Sequence, residues 1–119
     1  MNLFQCGGFT LNSGMHSVLK IECDALTRED WKTLAHLVSD KIKFNSVVGV
    51  PRGGLIFAEE LMPYCSDKKE LPCLIVDDVL TTGGSMTRFR DEIKEPTIGV
   101  VAFACGACPA WIKPIFQMW

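Results

Sequence analysis

Twice in this 119-residue chain an unbroken aliphatic run stops at a glycine-bearing turn and gives way to a helical pattern. The two stretches are "SVVGVPRGGLIFAEEL", from Ser46, and "CLIVDDVLTTGGSMTRFRDEI", from Cys73. A run without polar alternation predicts a strand covered on both faces, as in parallel sheets, and parallel neighbours need a crossover that the helical segments supply. A third run, Thr97 to Ala104, follows Pro96. These alternations predict an α/β fold, a Rossmann-like parallel sheet flanked by helices.

The remaining segments fit around that sheet. In "TREDWKTLAHLVSDKI", Thr27 is placed to cap a helix with Asp30 three residues on. Trp31, Leu34, Leu37, Val38 and Ile42 recur there at helical spacing. The reading places fully buried strands at Ser46–Val50 and Cys73–Val76, with a short helix ending near Pro63. It expects a small irregular β element over Phe9–Ile21 and an irregular tail in "CGACPAWIKPIFQMW". One domain, residues 1–119, is expected, because a chain this long buries one sizeable core but hardly two.

Composition removes several function classes. A net charge of −2 with 22% charged residues provides no electrostatic footprint for nucleic acid or an anionic membrane. The apolar stretch Ile98 to Ile112 is broken by Gly106 and Pro109 and falls short of the ~18 apolar residues that span a bilayer. "MNLFQCGGFT" has no basic region followed by an apolar core, so cytoplasmic residence is expected. The six cysteines then read as thiols. Cys105 and Cys108 have a metal-like spacing without a second pair, and His16 and His36 stand apart from other ligand types.

Loops leaving the carboxyl ends of parallel strands share one edge of the sheet, where ligands bind. "VPRGG" and "DDVLTTGGS" are the two such loops, and neither contains G-x-x-x-x-G-K-[ST] or G-x-G-x-x-G. Thr81, Thr82, Gly83, Gly84 and Ser85 offer hydroxyls and backbone N–H groups to a phosphate at a helix start. Arg52, with Gly53 and Gly54, offers a planar fork to a second phosphate or a pyrophosphate. Asp77 and Asp78 would repel phosphate alone. They suit a sugar whose vicinal hydroxyls donate to carboxylates, with a divalent cation bridging hydroxyls and pyrophosphate oxygens. Phosphoribosyl pyrophosphate satisfies every part. The competing structural reading of the second loop is a tight strand-to-helix turn with an Asp cap.

"LIVDDVLTTGGS" resembles the phosphoribosyl-pyrophosphate motif of type I phosphoribosyltransferases. The resemblance implies that Asp77 and Asp78 hold the ribose hydroxyls and act catalytically, and that Thr81 to Ser85 hold the 5′-phosphate. Arg52, Gly53 and Gly54 would hold pyrophosphate. Mg2+ is the implied cofactor, met by Asp77 and Asp78 directly or through ribose hydroxyls and water. "FTLNSGMHS" is similar to the hood of orotate phosphoribosyltransferases, with Asn12 where those enzymes usually have lysine, while Ser13 and Ser17 are expected to satisfy turns. "PAWIKP" is similar to the base-recognition segment of bacterial purine transferases, which implies base contacts for Trp111 and Ile112. Residues 1–26 and 105–119 would then form a reduced hood and the base side, and the two ends disagree about the base.

The long flexible arm of the family is absent: only "CSDKKELP" separates helix from strand, with Lys68 and Lys69 as a conceivable remnant. The resemblance implies transfer of phosphoribose from phosphoribosyl pyrophosphate to a nucleobase-like nitrogen. The missing arm keeps open a non-catalytic binding module as the alternative. The aromatic tail, with Phe116, Met118 and Trp119, implies apolar surface that a homodimer would cover.

Overall fold

The computed structural model describes residues 1–10 and 16–119. Strands β1 (Phe4–Thr10) and β2 (His16–Ile21) form an antiparallel pair whose register shifts between Cys6 and Phe9. Helix α1 (Arg28–Lys41) follows a 3-10 turn at Cys23–Ala25. Then come β3 (Ser46–Gly49), α2 (Leu55–Leu61), β4 (Cys73–Leu80), α3 (Gly84–Glu92), β5 (Thr97–Ala104) and β6 (Ile112–Gln117). The main sheet is parallel throughout, in the order β3-β4-β5-β6.

Helix α1 begins as the sequence predicts. Thr27 Oγ1 accepts from Asp30 N at 3.1 Å while Asp30 Oδ2 accepts from Thr27 N at 2.8 Å, satisfying two orphan amides at once. Its apolar stripe, with Trp31, Leu34, Ala35 and Val38, packs with Phe57, Ala58 and Leu61 of α2 on one face of the sheet. Trp31 and Phe57 meet at 5.1 Å between ring centroids. On the opposite face Met86 and Phe89 of α3 pack with Ile75, Val101 and Ile112. The result is a helix–sheet–helix sandwich, and no helix among the described residues is long and apolar enough to cross a membrane.

Four expectations are corrected. Strand β3 is only half-buried, because it is an edge strand with β4 as its one strand neighbour. Strand β4 continues past Val76 to Leu80, so the acidic pair belongs to the strand and the turn starts at Thr81. The tail is ordered: Ile112–Gln117 forms the fourth strand, with Gly99 opposite Ile112 and Ala104 opposite Gln117. Pro114 is tolerated there because β6 is the other edge, where a missing N–H breaks no ladder. The N-terminal β element starts earlier than read, at Phe4 rather than Phe9, and pairs regularly except at its bulge.

Candidate functional site

The carboxyl ends of β3 and β4 bring the two predicted loops together. Val50 N donates to Val76 O at 2.9 Å, and Gly54 N donates back to Val50 O at 2.8 Å, folding the Pro51–Gly54 turn onto β4. A Cβ on Gly54 would strike Val76 O, and a Cβ on Gly53 would overlap the Asp78 carboxylate. Glycine at these two positions is thus what lets the Arg52 loop lie against the acidic pair. The Pro51–Arg52 peptide is cis. Arg52 itself is exposed and has no ion pair among the described residues.

Each acid of the pair turns back on the chain. Asp77 Oδ1 accepts from Asp78 N at 2.8 Å, and Asp78 Oδ1 accepts from Val79 N at 2.7 Å. That leaves the second oxygen of each for a ligand. Burial first, and then the neighbouring Asp78 carboxyl, push Asp77 up to about 8. The buried Cys23 thiol, whose titration is pushed upward chiefly by burial and next by the Asp78 charge, belongs to the same neighbourhood. Sequence reading had no signal for Cys23, since only the packing of the 3-10 turn carries it there.

Beyond Leu80 the chain makes the predicted helix start. Gly83 stands at the N-cap of α3 with φ 81°, a left-handed conformation that suits glycine, and no side chain caps the helix. The contrast with α1, whose first turn is closed by a capping box, is chemical. Residues Thr81, Thr82, Gly83, Gly84 and Ser85 line a small pocket of about 50 Å³ together with Asp77. Thr82 Oγ1 lies 3.4 Å from Gly84 N, while Thr87 Oγ1 donates to Gly83 O at 2.9 Å and firms the turn. The first-turn amides beyond Gly84, which no side chain caps, and the Thr81, Thr82 and Ser85 hydroxyls lining the pocket suit an anion at this helix end.

Trp111 and Ile112 do not join this edge. Ile112 pairs with Gly99, five residues before the last residue of β5, which is roughly 16 Å of strand at the usual rise. Ile112 is 2% exposed in the core. Trp111 packs over Gly99, and the Arg90 guanidinium lies 4.8 Å above its ring, so the indole fastens α3 to the sheet. The base-side expectation for these two residues is therefore set aside. Lys68 and Lys69 are also remote, in a turn beside Asn45, whose side chain donates to Leu71 O at 2.6 Å at the amino ends of the strands. A turn at the opposite edge cannot cover the site. Asn12 and Ser13 lie outside the described residues, as do the side chains of His16 and Ser17.

Comparison with known proteins follows the same geometry. No family model matches the chain. The orotate phosphoribosyltransferase of Carboxydothermus hydrogenoformans is 32% identical over 125 aligned positions, covering 82% of this chain and 65% of that protein. The solved orotate phosphoribosyltransferase of Aeropyrum pernix superposes with a TM-score of 0.74 at 19% identity, over 98% of this chain and 89% of that one. The chain is similar in sequence to an orotate phosphoribosyltransferase and shares the fold of those enzymes. Leishmania donovani UMP synthase superposes with a TM-score of 0.73 at 18% identity, over 98% of this chain and 34% of that one. At these identities the two structures bear on the fold. The chain spans 65% of the length of the curated relative it matches. The 125 aligned positions exceed its 119 residues, so the relative carries residues inside the matched span that are absent here.

Proposed function

We propose that this protein transfers phosphoribose from phosphoribosyl pyrophosphate to a nitrogen of a nucleobase or related acceptor, releasing pyrophosphate. The observation that carries the reading is the contact of the Arg52 loop with the Asp78 carboxylate, one turn away from an uncapped helix start. In this reading Thr81–Ser85 cup the 5′-phosphate, Asp77 and Asp78 accept from the ribose hydroxyls, and Arg52 with Gly53 and Gly54 meets pyrophosphate. As the bond from the sugar's C1 to pyrophosphate breaks, positive charge grows on the ring. The fixed acidic pair beside it stabilises that charge without reorganisation. The new bond forms from C1 to the acceptor nitrogen, whose proton leaves to water.

The donor set fits Mg2+ arriving with the substrate. Asp77 and Asp78 each keep one carboxylate oxygen beyond their backbone bonds, and no cluster of three ligating side chains occurs among the described residues. One or two carboxylates, with the remaining positions taken by substrate phosphates and water, is the usual protein share for this ion. When bound, it would neutralise charge on the leaving pyrophosphate.

The test is pyrophosphate release from phosphoribosyl pyrophosphate and magnesium over a panel of bases. Base-dependent release supports transfer. Tight binding with no release under any base would replace the enzyme by a binding module. A homodimer in the cytoplasm, without nucleic-acid or membrane partners, completes the proposal.

A further inference from the structure

The Thr81–Gly83 turn rests against the loop that joins β5 to β6, and that loop carries a motif the proposed reaction does not use. The loop, "CGACP" from Cys105 to Pro109, leaves β5 where Cys105 N donates to Leu80 O at 2.9 Å, directly before Thr81. At its other end the Pro109 ring lies over Gly83: a Cβ on that glycine would stand 3.7 Å from Pro109 Cγ and 3.8 Å from Cδ. Pro109 O accepts from Ile112 N at 3.0 Å, which ties the loop to β6. Both ends of the turn are thus held by the two ends of one short loop.

Cys105 and Cys108 are free thiols, each half-buried. The chain bends at Cys105 and Gly106, and Gly106 takes φ 106°, which turns the loop back on itself. The Gln117 side chain spans that reversal. Its Oε1 accepts from the Cys108 thiol at 4.0 Å, while its Nε2 donates to Gly106 O at 2.5 Å and to Ala104 O at 3.5 Å. One amide group therefore joins the sulfur of Cys108 to the carbonyls on either side of Cys105. Residues three apart across a chain reversal bring their Cα atoms within about 7 Å, and a disulfide takes roughly 4.4–6.8 Å. Among the described residues nothing lies within 4 Å of a Cβ placed on Gly106, so the bend has room to tighten.

We propose that Cys105 and Cys108 are a redox-active dithiol, which closes to a disulfide on exchange with a small-molecule disulfide and so weakens anion binding at the Thr81–Ser85 turn. One cysteine thiolate attacks the small disulfide, forms a mixed disulfide and expels one thiol. The second cysteine then attacks the protein sulfur of that bond and expels the other thiol. Two cysteine sulfurs are oxidised, the small disulfide is reduced to two thiols, and the cysteine protons end on those thiols. Closing the bond draws Cys108 toward Cys105 and takes its neighbour Pro109 off Gly83, so the turn loses one of its supports. The effect on a ligand rests on the phosphate reading of the turn, whereas the sulfur chemistry and the movement of the turn do not.

The test exposes the full chain to oxidised glutathione at about pH 8.5, because burial pushes both thiols upward and only the thiolate exchanges. Peptide mapping by mass spectrometry should find Cys105 joined to Cys108, with both thiol hydrogens lost. The Gly83 and Gly84 amide resonances should then move in NMR with no ligand present. In calorimetry inorganic phosphate should bind the oxidised protein about fivefold or more weakly than the reduced protein, and dithiothreitol should restore the affinity. The double variant Cys105→Ser, Cys108→Ser should keep the reduced protein's affinity and lose the response. Failure to form this disulfide overturns the proposal, as does a disulfide that leaves the glycine resonances in place. Equal phosphate affinity of the two forms also overturns it, while the anion site stands. If phosphate binds neither form, the phosphate reading fails and takes the ligand effect with it, and the glycine amides still decide whether the dithiol moves the turn.

Discussion

Asp77 and Asp78 are adjacent on a strand, yet each caps a different backbone N–H and each keeps an oxygen for a ligand. Replacing both by Asn preserves shape while removing the charge. Each charge-assisted hydrogen bond is worth about 1.5–3 kcal/mol, so affinity for phosphoribosyl pyrophosphate with magnesium should fall at least tenfold in calorimetry, with the circular-dichroism spectrum unchanged. Unaltered affinity would remove the sugar-binding role. The raised Asp77 carboxyl also predicts a pH dependence of stability. Its folded value of about 8 lies above the ordinary 3.8, so the native state holds this proton more tightly than the unfolded chain. The contribution is complete below about 4 and is lost as pH rises through about 8. The melting temperature of the ligand-free protein should therefore decline between pH 5 and 9, and Asp77→Asn should decline less. Equal slopes would contradict the assignment.

At the scale of elements, α3 and α1 begin in opposite ways. The Thr27–Asp30 box closes the start of α1, and Thr27→Ala should destabilise the fold by about 1 kcal/mol in denaturant titration, with little effect on ligand binding. The start of α3 is held by Gly83 at φ 81°. Gly83→Ala forces a Cβ into the left-handed region at a cost of about 1–2 kcal/mol. It should lower both stability and affinity for inorganic phosphate. If phosphate binding survives intact while stability drops, the turn has a purely structural role. The strands differ in how readable they are. β4 and β5 show as apolar runs because both faces and both edges are covered. β6 does not, because an edge strand carrying Pro114 and Lys113 has neither alternation nor an unbroken apolar run.

On the scale of the whole molecule, the apolar surface is distributed differently from the tail-centred expectation. Phe116 and Met118 line a cleft with Phe4, Phe103 and the first half of α1, whereas Ile56, Met62 and Tyr64, on and just beyond α2, form a second exposed group. The proposed homodimer fits that second face better than the tail. Light scattering at micromolar concentration should give about twice the 13.2 kDa chain mass, and Met62→Asp should halve it. A 13.2 kDa species for the unmodified protein would rule the dimer out. The short connection from Cys65 to Cys73 also acts at this scale, since it keeps Lys68 and Lys69 at the amino edge. Nothing in that turn reaches across a strand as long as β4.

What the residues alone determined were the features encoded by local chemistry. These are the alternation of strand and helix, the Thr27 cap, and the chemistry of the Arg52 and Thr81–Ser85 loops. Each depends on neighbours a few positions away, where backbone sterics and hydrogen bonding decide the outcome. Tertiary structure alone decided the edge at which each residue emerges and the partner it meets. Strand register moved Trp111 and Lys68 out of the site, and sheet order brought Phe4, Phe103 and Phe116 to one wall. The raised titration of Asp77 likewise arises from burial among distant segments. The reason is that side-chain direction and burial depend on which strands lie side by side, and long-range pairing leaves no periodic signal in the chain.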